Sequence, residues 1–493
     1  MYLSQVDSFG GVDADADKLL EACFEDHEAY LAAKSHNKFL VLGRKGSGKT
    51  AIYKKLMQEK RFDAFSFGHD FSDYPWQLHD KQGELGVPEE QRYLQSWRYL
   101  ILLTLSKMLL NQDHSQPWSD DAQEALAKVE KFLVDSYGSR NPDMAQMFSP
   151  IRILRFKSSF EISWPIKVGV EGVPMSELPT IVQEVNRNLL RAVVDSLNPE
   201  FDYYVCFDQL DLGFDNSANY KSRLIGLLLA AREMNVKARD AGKRLSVLVF
   251  LRDDIYQALS FEDKNKPTEN FSCRIEWDTP RTTRTLKQLM EKRFAQVLSI
   301  PESDAWSEVF DEMEQMPGRQ NKYQHMLDRT FLRFRDMIKF CNEVLKVFQR
   351  ELGLVERSKF SNRDVQVARN EYSAYLLSEL DDEVPKHYPN YRTYLEILKS
   401  MESLQFTLED FRAGCESRRT VLRDDTNPSS ILMALFEFSL VGYYAPGGGG
   451  FGGSEYIWKY KDVRSQFNEG ALNYRIHPGL KEVLGVKKWT KSE

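Results

Sequence analysis

The residues Gly43-Arg44-Lys45-Gly46-Ser47-Gly48-Lys49-Thr50 have the types and the G-x-x-x-x-G-K-T spacing needed to hold a polyphosphate. Glycines let consecutive backbone N–H groups close around phosphate oxygens, because no Cβ holds the chain off the ligand. The lysine that follows can reach the β and γ oxygens, and the threonine hydroxyl after it is placed to ligate Mg²⁺. An apolar stretch from Lys38 to Leu42 precedes this turn, and Ala51-Ile52-Tyr53 continues it as a helix whose N-terminal dipole end attracts anions. Gly43, Lys45, Gly46, Ser47, Gly48, Lys49, Thr50 and Ala51 are therefore the candidate nucleotide-binding residues, with ATP and Mg²⁺ as the expected cofactors. Guanine specificity is disfavoured: Asn265-Lys266-Pro267-Thr268 lacks the final Asp of a base-reading N-K-x-D.

Two further stretches carry charge where such a ligand needs it. Tyr203-Tyr204-Val205-Cys206-Phe207 is apolar throughout, as expected of a strand covered on both faces of a parallel sheet, and it ends in Asp208-Gln209-Leu210-Asp211. Open parallel sheets bind ligands beyond the carboxyl ends of their strands, so Asp208 is the candidate carboxylate holding Mg²⁺ opposite Thr50. Leu245 to Leu251 is a second buried strand, ending in Arg252-Asp253-Asp254. If an additional strand separates the loop strand from the Asp208 strand, Arg252 lies beside the γ-phosphate and senses it. The alternative is a surface arginine paired with Asp253 or Asp254. Farther on, Arg333-Phe334-Arg335-Asp336 opens a helix, and cations at that point of a lid can swing onto phosphates. Arg335 is the candidate; the alternative is a solvated, charged first turn.

These residues need a scaffold of some size, and 493 residues suit two or three domains. Hydrophobic content of 42% and charged content of 28% describe an ordinary globular chain, and a net charge of -7 gives no general attraction to nucleic acid or anionic membrane. The five cysteines are far apart and show no CxxC or Cys/His grouping, which argues against disulfides and zinc and fits a reducing, cytoplasmic setting. No export signal is legible at Met1 to Asp7. The longest apolar run, Tyr99 to Leu105, is too short for a bilayer, so no membrane partner is expected.

Around the loop, periodicity predicts a helix over Asp15 to Lys34, a strand over Phe62 to Phe67, and an inward-facing helix over Glu89 to Leu110. The interval 111–198 reads as an insertion, with a period-two hairpin at Ser159 to Val170 and a helix over Thr180 to Leu197. Tyr220 to Arg239 and Thr282 to Leu298 are amphipathic helices, and Arg274 to Trp277 a short strand. Helices follow at Ala305 to Met316 and Leu332 to Leu352. Ser361 with Asp364, and Thr407 with Asp410, read as capped helix starts. The helix Ser429 to Leu440, the glycine-rich Gly447 to Gly453 and the alternating strand Tyr456 to Tyr460 describe a winged helix.

Taken together, the stretches "GRKGSGKTA", "FDQLD", "FLRDDIY" and "YRIHPGLKE" resemble a bacterial P-loop ATPase of the AAA/STAND-like group, near the origin-recognition and KAP-type branches. The resemblance implies an α/β fold: a P-loop ATPase domain at 1–300 with a parallel sheet, a helical lid at 301–360, and a C-terminal winged-helix domain at 361–493. It also implies a nucleotide-dependent switch that often works by forming oligomers, and phage defence is a frequent role of bacterial ATPases of this build. Many AAA proteins place a glutamate directly after the Mg²⁺ aspartate; here that position is Gln209, and Asp211, as in STAND-type members, becomes the candidate water-positioning base. Lys49, Asp208, Asp211, Arg252 and Arg335 are thus the candidate catalytic residues, with Thr50 and Asp208 the metal ligands.

Three functions compete: a switch acting through a protein partner or homo-oligomer, a DNA-bound ATPase resembling replication initiators, and a small-molecule kinase. Size, the winged tail and the lack of an evident acceptor pocket disfavour the kinase. DNA is less favoured than protein because the helix Ser429 to Phe438 carries no Arg, Lys, Asn or Gln for base edges, while Glu437 would repel phosphates. Nearby Arg412, Arg418, Arg419, Arg423, Lys459, Lys461, Arg464 and Arg475 could grip a backbone, offset by Asp424, Asp425, Glu455 and Asp462.

Overall fold

A computed structural model of the chain describes residues 2–59, 61–71, 74, 76–80, 91–148, 178–351, 357–401, 403–422, 427–447 and 453–487. It divides into two compact units. One contains Asp26–Lys45 and Lys49–Ile275; the other contains Met1–Glu25, Gly46–Gly48 and Glu276–Glu493.

The first unit is built on a five-stranded parallel sheet of β1 (Leu40–Gly43), β2 (Ala64–Asp70), β3 (Asp202–Asp208), β4 (Arg244–Arg252) and β5 (Ser272–Arg274). The order is β2-β3-β4-β1-β5, so β4 intervenes between the strand that leads into the glycine-rich loop and the strand that ends at Asp208. The register sets Gly43 opposite Arg252, and Val205 opposite Val247. β1 and β3 are buried almost end to end, which is why their sequences are continuous apolar runs rather than alternating ones.

Successive side chains of a strand face opposite sides of its sheet. On β2, Gly68 lies under the Tyr53 ring of the helix Lys49–Gln58, whereas His69 turns the other way and bonds Thr104 Oγ1 of the helix Leu94–Asn111 at 2.8 Å. Helices therefore cover both faces. Leu94–Asn111 is buried on most sides, packed against Leu178–Ser196 and Ala218–Asp240.

The second unit is mainly helical. Leu286–Leu298 and Phe334–Glu351 pack together, and Phe334–Glu351 packs on Asn362–Glu383, where the Phe340 and Tyr372 rings stack at 4.4 Å. The N-terminal segment is tied to these helices by polar contacts at long sequence separation. Asn342 accepts from Phe9 N at 2.8 Å and donates to Gly10 O at 3.0 Å, while Arg293 pairs with Asp17 at 2.6 Å, both charges fully enclosed. Beyond Tyr391–Ser400 and Leu408–Glu416 lies a four-stranded antiparallel sheet of β6 (Gln405–Phe406), β7 (Val441–Ala445), β8 (Glu455–Ile457) and β9 (Tyr474–Ile476), in the order β6-β9-β7-β8, with the helix Pro428–Glu437 beside it.

The capping boxes at Ser361/Asp364 and Thr407/Asp410 form as their spacing predicts. Several expected elements are corrected. The helix over Asp15 to Lys34 is confined to Glu28–Lys34, because Asp17 accepts from Gly11 N and Leu19 N and pairs with Arg293, holding the earlier residues in turns. The helix over Ala305 to Met316 stops at Val309, where Phe310 takes an extended conformation and bridges to Phe360. The short strand is Ser272–Arg274, not Arg274 to Trp277. The hairpin expected at Ser159 to Val170 lies outside the described residues.

Cutting one side of an enclosed ion pair leaves the other charge stranded. Arg293→Ala should destabilise the second unit by about 3–5 kcal/mol, read as a lower urea midpoint for its unfolding. A loss below about 1 kcal/mol would mean that Asp17 finds water in the folded chain.

Candidate functional site

The loop between β1 and the helix Lys49–Gln58 has the backbone its glycines predict: Gly46 and Gly48 have φ of 76° and 116°, values that side chains with a Cβ rarely adopt. Space is also short there. A Cβ on Gly46 would lie 3.1 Å from Arg335 Cδ, and one on Gly48 would lie 3.4 Å from Phe334. The Trp277 indole N–H donates to Ser47 O at 3.1 Å, so the loop is held by a residue that leaves the end of β5. Composition singled out the glycines but gave no hint of this tryptophan.

Lys49 Nζ donates to Gly43 O and Arg44 O, 3.0 Å each, which folds the lysine back over its own loop. Burial pushes its pKa down, against the attraction of Asp211 and Asp208, with Arg252 adding to the downward push. These groups share one electrostatic neighbourhood although they come from three strand ends about 160 and 200 residues apart in sequence.

Asp208 is buried at the end of β3, only 2% exposed. Burial raises its pKa to about 6, opposed by a hydrogen bond from the Thr50 hydroxyl and by the charge of Lys49. Its Oδ2 is enclosed and has no hydrogen-bond partner. An enclosed carboxylate oxygen left unsatisfied beside a threonine hydroxyl is the donor set a hard divalent cation takes, and the chemistry of Thr50 and Asp208 fits Mg²⁺.

Arg252, 3% exposed at the end of β4, is neither solvated nor at the surface. Its Nε donates to Asp254 Oδ1 at 3.0 Å, Nη2 donates to Asp254 Oδ2 at 2.6 Å, and Nη1 reaches Asp211 Oδ2 at 3.2 Å. Burial alone would raise the Asp211 carboxyl, but Arg252 and Lys49 hold it below the ordinary carboxylate range. Asp253, also buried, pairs with Arg274 of β5. Of the two acids after Arg252, the sequence left open which would meet it; the structure divides them between two arginines.

Of the cations at Arg333 and Arg335, Arg333 is turned inward. It is enclosed between Asp336 at 2.9 Å and Glu383 at 3.2 Å and serves the packing of its own unit. Arg335 instead reaches Glu379 at 3.3 Å, lays its side chain along Gly46 and leaves an enclosed Nε without a partner. Ala51 is buried against the sheet side of its helix, while Gly43 closes β1. No helix among the described residues is long and apolar enough to cross a membrane.

Residues 284–381, the helices Leu286–Leu298 through most of Asn362–Glu383, match a family model described as the FunZ-associated C-terminal helical domain. The chain is 23% identical over 479 residues to the putative transposon gamma-delta 80.3 kDa protein of Escherichia coli K12, covering 89% of this chain and 62% of that protein's length. A solved structure of the Aeropyrum pernix ORC1 protein in complex with DNA aligns over 89% of this chain and 92% of its own, at 11% identity and a TM-score of 0.33. At that score the fold rests on the strand order and register given above.

The raised pKa of Asp208 has a definite sign for stability. The folded chain prefers the protonated form, so ionising the group costs stability as pH rises from about 4 through about 6. Asp208→Asn should therefore make the metal-free chain more stable at pH 7, by about 2–3 kcal/mol, with the advantage fading as pH falls from about 6 and gone below about 4. The same variant should abolish any thermal shift on adding Mg²⁺. Thermal unfolding with and without Mg²⁺ measures both; a variant less stable than the parent at pH 7 would show that the carboxylate is satisfied within the protein.

Proposed function

We propose that the chain binds and hydrolyses ATP as a P-loop ATPase of the AAA/STAND-like kind, and works as a conformational switch through protein partners or self-assembly. One observation supports this above the others: the unsatisfied Asp208 oxygen, on a carboxylate that the Thr50 hydroxyl bonds and the Lys49 charge acts on.

In this reading Gly43, Lys45, Gly46, Ser47, Gly48 and Ala51 shape the backbone cradle, and Lys49 leaves the carbonyls of Gly43 and Arg44 for the phosphates. Thr50 and Asp208 would hold Mg²⁺, which when bound neutralises charge developing on the phosphate oxygens. Asp211 orients the attacking water in place of the glutamate that Gln209 does not provide, Arg252 senses the γ-phosphate, and Arg335, beside Gly46 in its own unit, is the lid cation. The last unit is read as a helical lid followed by a winged helix. Its helix Pro428–Glu437 buries Ile431, Leu432, Leu435 and Phe436, exposes Ser430 and Met433, and ties Glu437 to Lys459 at 3.2 Å. That face offers DNA no Arg, Lys, Asn or Gln for base edges, which favours a protein-facing output over a duplex-facing one. Anti-phage defence is the setting the resemblance suggests for such a switch in a bacterial cytoplasm.

Lys49→Ala should abolish ATP binding, whereas Asp211→Asn should bind ATP as the parent does and lose turnover by about 100-fold or more. Equilibrium binding and phosphate release measure the pair. Asp211→Asn turning over at the parental rate would reassign the base. Solution mass with and without ATP should report assembly, and a salt-sensitive gel shift lost on neutralising Arg418 and Arg419 would favour the DNA reading instead.

A further inference from the structure

Asp254 has no part in the ATPase scheme above, yet it makes the tightest contacts of the arginine that does. Arg252 offers it the Nε/Nη2 edge in a two-point fork, 3.0 and 2.6 Å, and the two residues are separated by a single position at the junction of β4 and the helix Asp253–Ala258. A fork of this kind fixes the plane of a guanidinium as well as its position. The remaining nitrogen, Nη1, is then aimed at Asp211 at 3.2 Å, longer than either arm of the fork. Arg252 itself is almost fully enclosed, so its charge has little water to fall back on.

We propose that Asp254 is a positioning residue: it holds Arg252 so that Nη1 alone is shared between Asp211 when no triphosphate is bound and the γ-phosphate when one is. The inference rests on the ATPase reading and adds to it a resting state. Without a γ-phosphate, Nη1 occupies Oδ2 of Asp211 and keeps that oxygen from a water. With one, the better acceptor draws Nη1 away, and Asp211 is released at the moment a substrate is present. ADP, lacking the third phosphate, leaves the resting pair intact. The local nature of the fork is what makes this work: Arg252 can exchange its contact to Asp211 without losing the fork to Asp254.

The test is the ratio of ATP to ADP affinity, measured by titration in Mg²⁺ for the full chain and for Asp254→Asn, Asp254→Glu and Arg252→Lys. Asp254→Asn should lower the ratio by about tenfold, through weaker ATP binding with ADP binding unchanged, and should lower kcat more than it raises KM for ATP. Asp254→Glu, which keeps a carboxylate, should restore part of the preference. Arg252→Lys, which keeps the charge but has no fork, should lose the preference as Asp254→Asn does, and it provides the readout if Asp254→Asn fails to fold. A ratio unchanged in Asp254→Asn or in a folded Arg252→Lys overturns the proposal while the ATPase reading stands. ATP and ADP weakened equally would make Asp254 a structural residue and also overturn it. A parent chain that binds neither nucleotide overturns the ATPase reading and this inference with it.

Discussion

One buried carboxylate governs the arrangement. Asp208 sits at the end of a strand enclosed on both faces, where ionisation is costly, and hydrogen bonds from the Thr50 hydroxyl and the Gln209 N–H still leave its Oδ2 without a partner. A protein that needed Asp208 only for packing could carry an apolar residue there at no loss. The cost is sustained by the position of the strand: β4 spaces β3 away from β1 so that Asp208 faces the start of the helix Lys49–Gln58, and the same spacing delivers Arg252 from β4 between them.

The surrounding charges form a network. Lys49, Arg252 and Arg274 answer Asp208, Asp211, Asp253 and Asp254, which lie at strand ends, in the turn after one, or in the first turn of a helix. In such a network each pair restrains the next, so a polyanion entering it has to be met by exchange of partners rather than by free side chains. Lys49 bonded to loop carbonyls and Arg252 bonded to two acids are the contacts available for that exchange.

Much of this was legible in the sequence because the central strands of a parallel sheet must be apolar throughout. Tyr203 to Phe207 and Leu245 to Leu251 could hardly be anything else, and the polar residues ending them had to emerge where ligands bind. What the sequence concealed were contacts made at a distance. Leu19, Leu20, Cys23 and Phe24 have helical spacing, but Asp17 answers Arg293, and that pair keeps the segment in turns. Ala305 to Met316 has helical composition, yet Phe310 leaves the helix to reach Phe360. Arg333 and Arg335 look alike in a first turn; only the placement of Asp336 and Glu383 decides that Arg333 goes inside. Asp253 and Asp254 read as interchangeable acids until β5 brings Arg274 to one of them.

In this reading a divalent cation and a triphosphate would meet between Thr50 and Asp208. Anomalous diffraction from crystals of the full chain grown with Mn²⁺ and a non-hydrolysable ATP analogue tests it most directly. The account predicts an anomalous peak in contact with Thr50 Oγ1 and a carboxylate oxygen of Asp208, with the analogue's phosphates in the loop from Gly43 to Lys49. Manganese and nucleotide bound elsewhere, with that Asp208 oxygen still unsatisfied, would contradict it.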